Sequence, residues 1–343
     1  MIRLPEFSYY SPKTLRETLK ILASERGKAR AVAGGTDLFP NMKRRVQTPA
    51  VLVSLNQVKE LHRNISRRRS AGIVIPSGST LSEVSRNQLI QQFYPSLSKT
   101  ASSIATPLIQ NMGTIGGNLC LDTRCTYYNQ SPEWRESVGY CMKAPEGKPD
   151  IPCRVAPGSP QCVAVNSSDT APLFCALQGE FTLVSSDGER KIKACDFYRN
   201  DGELYLNLKP DEILSEMILP LPENLKVCYL KLRRRGSFDF PVLGVAAALK
   251  IANQKVEEAR IFLNAVSSAP IEAAESEKIL IGSSLEDGKL KKETIAKSAR
   301  QAVKYSAPYD NTDFYAFWRK EMTEVFVKRA LESLNEPEIL KEL

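Results

Sequence analysis

The sequence predicts a mixed α and β protein of at least two domains. Three observations carry this: short β-favouring runs that end in glycine turns, longer stretches with apolar residues at helical spacing, and a proline-punctuated segment two-thirds along the chain. That segment, Leu219-Pro220-Leu221-Pro222-Glu223-Asn224, ends a strand and resists helix, so it marks a boundary. A length of 343 residues with 42% hydrophobic composition is enough for two or three compact cores.

The elements follow in order. Tyr9 to Leu22 has helical periodicity, with Ser11 as its cap and Pro12 in the first turn. Ala29 to Ala33, Ala50 to Leu55 and Gly72 to Pro76 read as strands, and Thr80 to Gln91 and Pro95 to Ile104 as helices. Ala171 to Val184 is predicted as a helix followed by a strand, closing at the turn Ser186-Asp187-Gly188, with a hairpin-rich region to Pro222. Beyond the boundary, Gly244 to Ile251 and Ala259 to Val266 read as strands. Ile271 to Ile281, Lys289 to Tyr305 and Asp313 to Leu334 read as helices. In the last of these, Phe314, Phe317, Trp318, Met322, Val325 and Phe326 recur at helical spacing and form a predicted packing face.

Composition removes several function classes. The N-terminus, Met1-Ile-Arg-Leu-Pro-Glu-Phe7, has no apolar stretch of the kind a secretory signal needs. The longest nearly apolar run, Pro241 to Leu249, falls far short of the ~20 residues that span a bilayer. The chain is therefore expected to be soluble and cytoplasmic, with no membrane span. Net charge is +8, with basic clusters at Lys43-Arg44-Arg45, Arg67-Arg68-Arg69 and Arg233-Arg234-Arg235. No aromatic interleaving or finger pattern accompanies them, so they are read as solvated faces rather than a nucleic-acid surface. The single histidine, His62, excludes a histidine-based triad, and no carboxylate pair stands out as acid and base. Such a chain suits redox cofactors that do the chemistry while the polypeptide holds and tunes them.

Two glycine loops stand out. Val32-Ala-Gly-Gly-Thr-Asp-Leu38 follows a strand directly, and Gly113-Thr-Ile-Gly-Gly-Asn118 repeats the device about eighty residues later. Glycines there let backbone amides approach phosphate oxygens without side-chain obstruction. The residues alone leave open whether the loops hold a pyrophosphate between them or are ordinary tight turns. Neither matches the Rossmann fingerprint or the P-loop.

From Cys125 to Cys162 the periodicity collapses, and six of the twenty-one prolines fall there. A stretch of this length that cannot build a core unaided is a functional insertion or disordered. It holds Cys125, Cys141, Cys153 and Cys162, with spacings of 16, 12 and 9 that match no short zinc pattern. A metal bonded to thiolates is an available source of ordering energy. Zinc, an iron–sulfur cluster and unbonded thiols all remain open from spacing. Cys120, Cys175, Cys195 and Cys228 read as small core residues.

The sequence resembles, along nearly its whole length, the FAD-binding medium subunits of the molybdenum hydroxylases, the family of xanthine dehydrogenase and carbon monoxide dehydrogenase. Ala33-Gly-Gly-Thr-Asp-Leu38 and Thr114-Ile-Gly-Gly-Asn118 look like that family's two flavin diphosphate loops. More narrowly, Thr123-Arg-Cys-Thr-Tyr-Tyr-Asn-Gln130, Trp134-Arg135, Gly139-Tyr-Cys-Met-Lys143, Cys153 and Cys162 look like the insertion of 4-hydroxybenzoyl-CoA reductase β subunits, which carries a [4Fe–4S] cluster. One departure is a longer gap between Cys141 and Cys153, within Pro145-Glu-Gly-Lys-Pro149.

The resemblance implies an α+β FAD-binding domain of the vanillyl-alcohol oxidase type over residues 1–222, in subdomains 1–57 and 58–222 with an iron–sulfur insertion at 124–163. A smaller α/β domain of the carbon monoxide dehydrogenase flavoprotein type follows over 223–343. It implies that Ala31, Val32, Ala33, Gly34, Gly35, Thr36, Asp37 and Leu38, with Gly113, Thr114, Ile115, Gly116, Gly117 and Asn118, hold the flavin nucleotide. Ile104 and Thr126 would line the site, Asp169 would accept nucleotide hydroxyls, and Leu214 and Lys231 would flank the isoalloxazine. Asp169 also stands where it could cap the helix from Ala171. The same resemblance makes Cys125, Cys141, Cys153 and Cys162 cluster ligands. It implies a large molybdopterin subunit, a small [2Fe–2S] subunit and a ferredoxin-like carrier as partners. The rivals are a xanthine- or aldehyde-type FAD subunit and a stand-alone flavin dehydrogenase.

Overall fold

The computed structural model describes residues 3–68, 72–148 and 150–335. Arg69 of the second basic cluster and Pro149 of the 145–149 stretch lie outside them. Twelve strands among the described residues form three sheets: β1 (Ser8–Tyr10), β2 (Ala29–Val32), β3 (Val51–Ser54), β4 (Ser66–Arg68), β5 (Gly72–Pro76), β6 (Glu180–Ser185), β7 (Gly188–Lys193), β8 (Ile213–Leu219), β9 (Leu225–Leu232), β10 (Leu243–Ala252), β11 (Lys255–Asn264) and β12 (Ile271–Glu272).

The first sheet is parallel, in the order β1-β3-β2. The helix Leu15–Ser24 covers it, burying Leu19 and Leu22 against Val51 and Val53. That helix starts later than the sequence reading placed it. Ser8 to Tyr10 pair with β3, and Thr14 rather than Ser11 is the cap, accepting from the Glu17 amide at 3.2 Å.

The second sheet is antiparallel, in the order β4-β5-β8-β6-β7. Helices Leu81–Arg86, Gln88–Phe93, Pro95–Ser103 and Ala171–Ala176 bury Leu81, Ile90, Leu97 and Phe174 in its core with Ile75, Phe181 and Met217. The predicted helix from Thr80 is broken at Asn87, whose side chain accepts from the Leu89 and Ile90 amides and so starts a new helix.

The third sheet, β12-β11-β10-β9, is antiparallel and buried on both faces. Val245, Ala247 and Leu249 face helices Ala274–Leu280, Lys292–Ala302 and Ala316–Asn335, while Ala246 and Ala248 join the core of the second sheet. Burial on two faces removes the need for alternation, which is why residues 243–249 read as one apolar run. The predicted helix from Ile271 begins at Ala274, because Ile271 and Glu272 pair with β11.

The aromatic face predicted on the last helix is split. Met322, Val325 and Phe326 pack into the core, whereas Phe314, Phe317 and Trp318 are exposed. The buried stripe runs through Arg319, Thr323, Phe326, Val327 and Ala330, and Phe317 lies off it. Cys175 and Cys228 are buried as expected, but Cys195 is exposed and Cys120 borders a cleft. In the short helix Ala194–Phe197 the inward positions are taken by Ala194 and Phe197, which leaves Cys195 outside. No helix among the described residues is long and apolar enough to cross a membrane.

Candidate functional site

A cleft of about 780 Å³ lies in the size range of cofactor sites. The loop after β2 and the loop at 113–118 form facing walls. A Cβ on Gly34 would run into the Met112 carbonyl oxygen, and one on Gly116 would come within 2.6 Å of Ser77 Cβ and 2.8 Å of Ser77 O. Gly35 adopts φ +67°, a conformation that suits glycine. The second loop is pinned from behind: Leu81 N donates to Gly113 O at 2.9 Å, Ile115 N to Ser79 O at 2.9 Å and Gly116 N to Ser77 O at 3.0 Å. The glycines thus let two backbones pass at contact distance.

Ala31 to Leu38, Ile104, Gly113, Thr114, Gly116, Gly117, Asn118, Asp169 and Leu214 all border the cleft. Ile115 is buried in the core behind it. Thr126 is exposed and its amide donates to Asn311 O at 2.8 Å. Asn118 Oδ1 accepts from Ser168 Oγ and Thr170 Oγ1, at 3.0 and 2.6 Å, and so fixes the turn that presents Asp169. Asp169 is not the helix cap; the Ala171 amide donates to Ser168 Oγ instead, at 3.1 Å. The Asp169 carboxylate accepts from Lys231 Nζ and Tyr229 OH, both at 2.9 Å. Burial pushes its carboxyl up, against the opposing pull of Lys231 and Tyr229.

Several cleft residues had no signal in the sequence. Arg124, one residue before Cys125, bonds Asp37 and lies 3.7 Å over the Phe240 ring. Arg30, Asp122 and Tyr205 line the same cleft, with Arg30 Nη2 donating to Tyr205 OH at 3.2 Å and the charges of Arg30 and Asp122 acting on Asp37. Each is an ordinary charged or aromatic residue until folding assembles them.

A second, small cavity of about 10 Å³ is lined by Cys125, Cys141, Cys153 and Cys162 together with Tyr128, Met142, Lys143 and Val155. All four cysteines are buried and none is in a disulfide. Burial pushes Cys125 up to about 11 and Cys162 to about 12, and raises Cys141. Backbone amides oppose this: Tyr127 and Tyr128 donate towards Cys125, Lys143 and Ala144 towards Cys141, and Ala164 towards Cys162. Among the described residues no three His, Cys, Asp or Glu side chains are grouped so that they could hold a metal ion. Arg135, only 1% exposed, lies beside Cys141 with Nε and Nη1 lacking hydrogen-bond partners.

Comparison with known proteins decides the family. Residues 5–222 match the model of the FAD binding domain in molybdopterin dehydrogenase, and residues 228–334 that of the CO dehydrogenase flavoprotein C-terminal domain. The chain belongs to the molybdopterin dehydrogenase FAD-binding family. Among relatives, the glyceraldehyde dehydrogenase medium chain of Sulfolobus acidocaldarius is 25% identical over 96% of this chain and 99% of its own length. The carbon monoxide dehydrogenase medium chain of Afipia carboxidovorans is 27% identical over 95% of this chain and 96% of its own. The solved carbon monoxide dehydrogenase of Hydrogenophaga pseudoflava that lacks the Mo-pyranopterin moiety superposes with a TM-score of 0.78 at 25% identity, covering 97% of this chain and 98% of that one. As a member of this family the chain is an FAD-binding oxidoreductase subunit of the molybdenum hydroxylase type, with the two-domain α+β fold those models describe.

Proposed function

We propose that this chain relays electrons within a heteromeric molybdenum enzyme, holding FAD in the large cleft and a [4Fe–4S] cluster on Cys125, Cys141, Cys153 and Cys162. The observation that carries the cluster is the convergence of four sulfurs, spread over 38 residues of an apolar-poor segment, on one void. Burial of three of them favours the neutral thiol on balance, so a bound cation would have to supply the energy that ionises them. The void of about 10 Å³ is smaller than a cluster, so loading would have to widen it.

Ala31 to Leu38 would hold the diphosphate by backbone amides, with Gly113 to Asn118 as the facing wall; the amides of Gly113, Ile115, Gly116, Gly117 and Asn118 already donate to Ile109, Ser79, Ser77 and Thr114. Asp169 would orient the nucleotide while Ile104 and Leu214 border the flavin; Lys231, which does not line the cleft, would act through its bond to Asp169, and Thr126 through the backbone that ties the insertion to Asn311. FAD supplies exchange between two-electron and one-electron carriers, and the cluster a one-electron relay. Partners would be a large molybdopterin subunit, a small [2Fe–2S] subunit and a ferredoxin-like carrier, in keeping with relatives that are themselves medium chains. The substrate class favoured by the insertion is an aromatic acyl-CoA, as for 4-hydroxybenzoyl-CoA reductases.

The full chain, purified without oxygen, should carry flavin together with iron and sulfide in the ratio of a [4Fe–4S] centre. Serine at any of the four cysteines should remove the iron and leave the flavin. Flavin with zinc, or with no metal, would overturn the cluster. Turnover of aldehydes or purines but not aromatic acyl-CoA by the copurified complex would overturn the substrate class alone.

A further inference from the structure

We infer that Lys143 sets the reduction potential of the metal centre, through a buried charge pair that is the shared wall of the two cofactor sites. This rests on the cluster reading above. Lys143 borders the cysteine cavity and its charge acts on Cys162. On its other side Nζ donates to Asp122 Oδ1 at 2.6 Å, Thr123 Oγ1 at 2.5 Å and Gly202 O at 2.8 Å. Asp122 in turn borders the flavin cleft.

The ammonium is held in place rather than free to swing. Both partners of the ion pair are buried, and Lys143 lies 4.4 Å from the Tyr128 ring centroid and 5.2 Å from that of Tyr205. Asp122 Oδ2 is occupied by Gln47 Nε2 at 2.5 Å and Tyr128 OH at 3.0 Å. Burial alone would raise the Asp122 carboxyl; Lys143, Arg30 and Tyr128 together hold it below its ordinary value. The result is a row of fixed charges, Arg30 on the flavin side, Asp122 between, and Lys143 on the sulfur side.

One electron entering the cluster adds one negative charge beside Lys143. A fixed cation in a low-dielectric wall stabilises that reduced form over the oxidised one, and so raises the potential. Lys143 is a positioning residue in this scheme: it exchanges neither electrons nor protons. Lys143 lines the cavity of the cysteines and acts on Cys162, whereas Asp122 does neither, so the cation outweighs the carboxylate there.

The test is a redox titration of the full chain, reconstituted with iron and sulfide, followed by electron paramagnetic resonance with iron content measured on each sample. Lys143→Gln should lower the reduced-to-oxidised ratio at the wild-type midpoint about tenfold, or ~59 mV for one electron. Lys143→Arg should stay within about twofold of wild type. Lys143→Gln with Asp122→Asn leaves no unpaired buried carboxylate, keeps the comparison available if the single variant fails to hold iron, and should lower the ratio by less. An iron-replete Lys143→Gln or double variant with an unchanged or raised ratio would overturn this inference and leave the cluster intact. A wild-type chain that binds no iron would overturn the cluster reading, and this inference with it.

Discussion

Gly34 and Gly116 show how one missing methyl group makes room for a ligand. Neither needs an unusual φ; what each lacks is space for a Cβ, against Met112 in one case and Ser77 in the other. Gly34→Ala is therefore expected to push the two loops apart and weaken FAD binding at least tenfold, read as the flavin-to-protein ratio after gel filtration. Gly158→Ala, where a Cβ meets nothing within 4 Å, should leave that ratio unchanged. Residues of this kind were legible in the sequence because glycine pairs behind a strand have a local backbone meaning. Arg30, Asp122 and Arg124 were not, since a charged residue carries no local mark of the partner it will meet. Asp37 was read as part of a flavin loop, yet its bond to Arg124 ties that loop to the cysteine segment.

Helices and strands were legible where periodicity was strong and misplaced where pairing overrode it. β2, β3 and β5 lie where the sequence put them to within a residue, but Ile271 and Glu272 are drawn into the edge of β11 by backbone pairing that no periodicity reports. The short β12 leaves the Ile261 amide to another acceptor, and Glu277 from the following helix takes it at 2.7 Å. Burial pushes the Glu277 carboxyl up from 4.5 to about 7. Its contribution to stability is thus whole below about pH 4.5, shrinks as the unfolded chain ionises first, and is lost once the pH passes about 7. Calorimetry should show the C-terminal domain less stable at about pH 8 than at about pH 5 by on the order of 3 kcal/mol, and Glu277→Gln should flatten that difference.

The whole molecule is held together by polar contacts between segments matched to different family domains. Asp169 meets Tyr229 and Lys231 of β9, Ser168 O accepts from Asn264 Nδ2 at 2.8 Å, and Val163 O from Asn311 Nδ2 at 2.7 Å. Lys231→Met strands a carboxylate that is 3% exposed, which costs about 3–5 kcal/mol when such a pair is broken on one side. Thermal unfolding should register that loss, and Asp169→Asn with Lys231→Met should recover most of it. Within the basic clusters, read as solvated faces, Arg68 meets Glu216 and Arg234 meets Asp313 across long stretches of chain, and Arg235 meets Asp239 four residues on.

The chain by itself determined the glycine loops and a cysteine-bearing excursion without periodicity, although that excursion does gather a small cluster of its own around Cys125, Tyr128, Cys141, Ala144 and Cys162. These features are contiguous, and contiguous residues express their backbone geometry and burial locally. Only the tertiary structure decided that the excursion closes against the large cleft through Arg124, Asp122 and Lys143, because contacts between residues dozens of positions apart depend on how three sheets stack, and that packing leaves no periodic trace in the sequence.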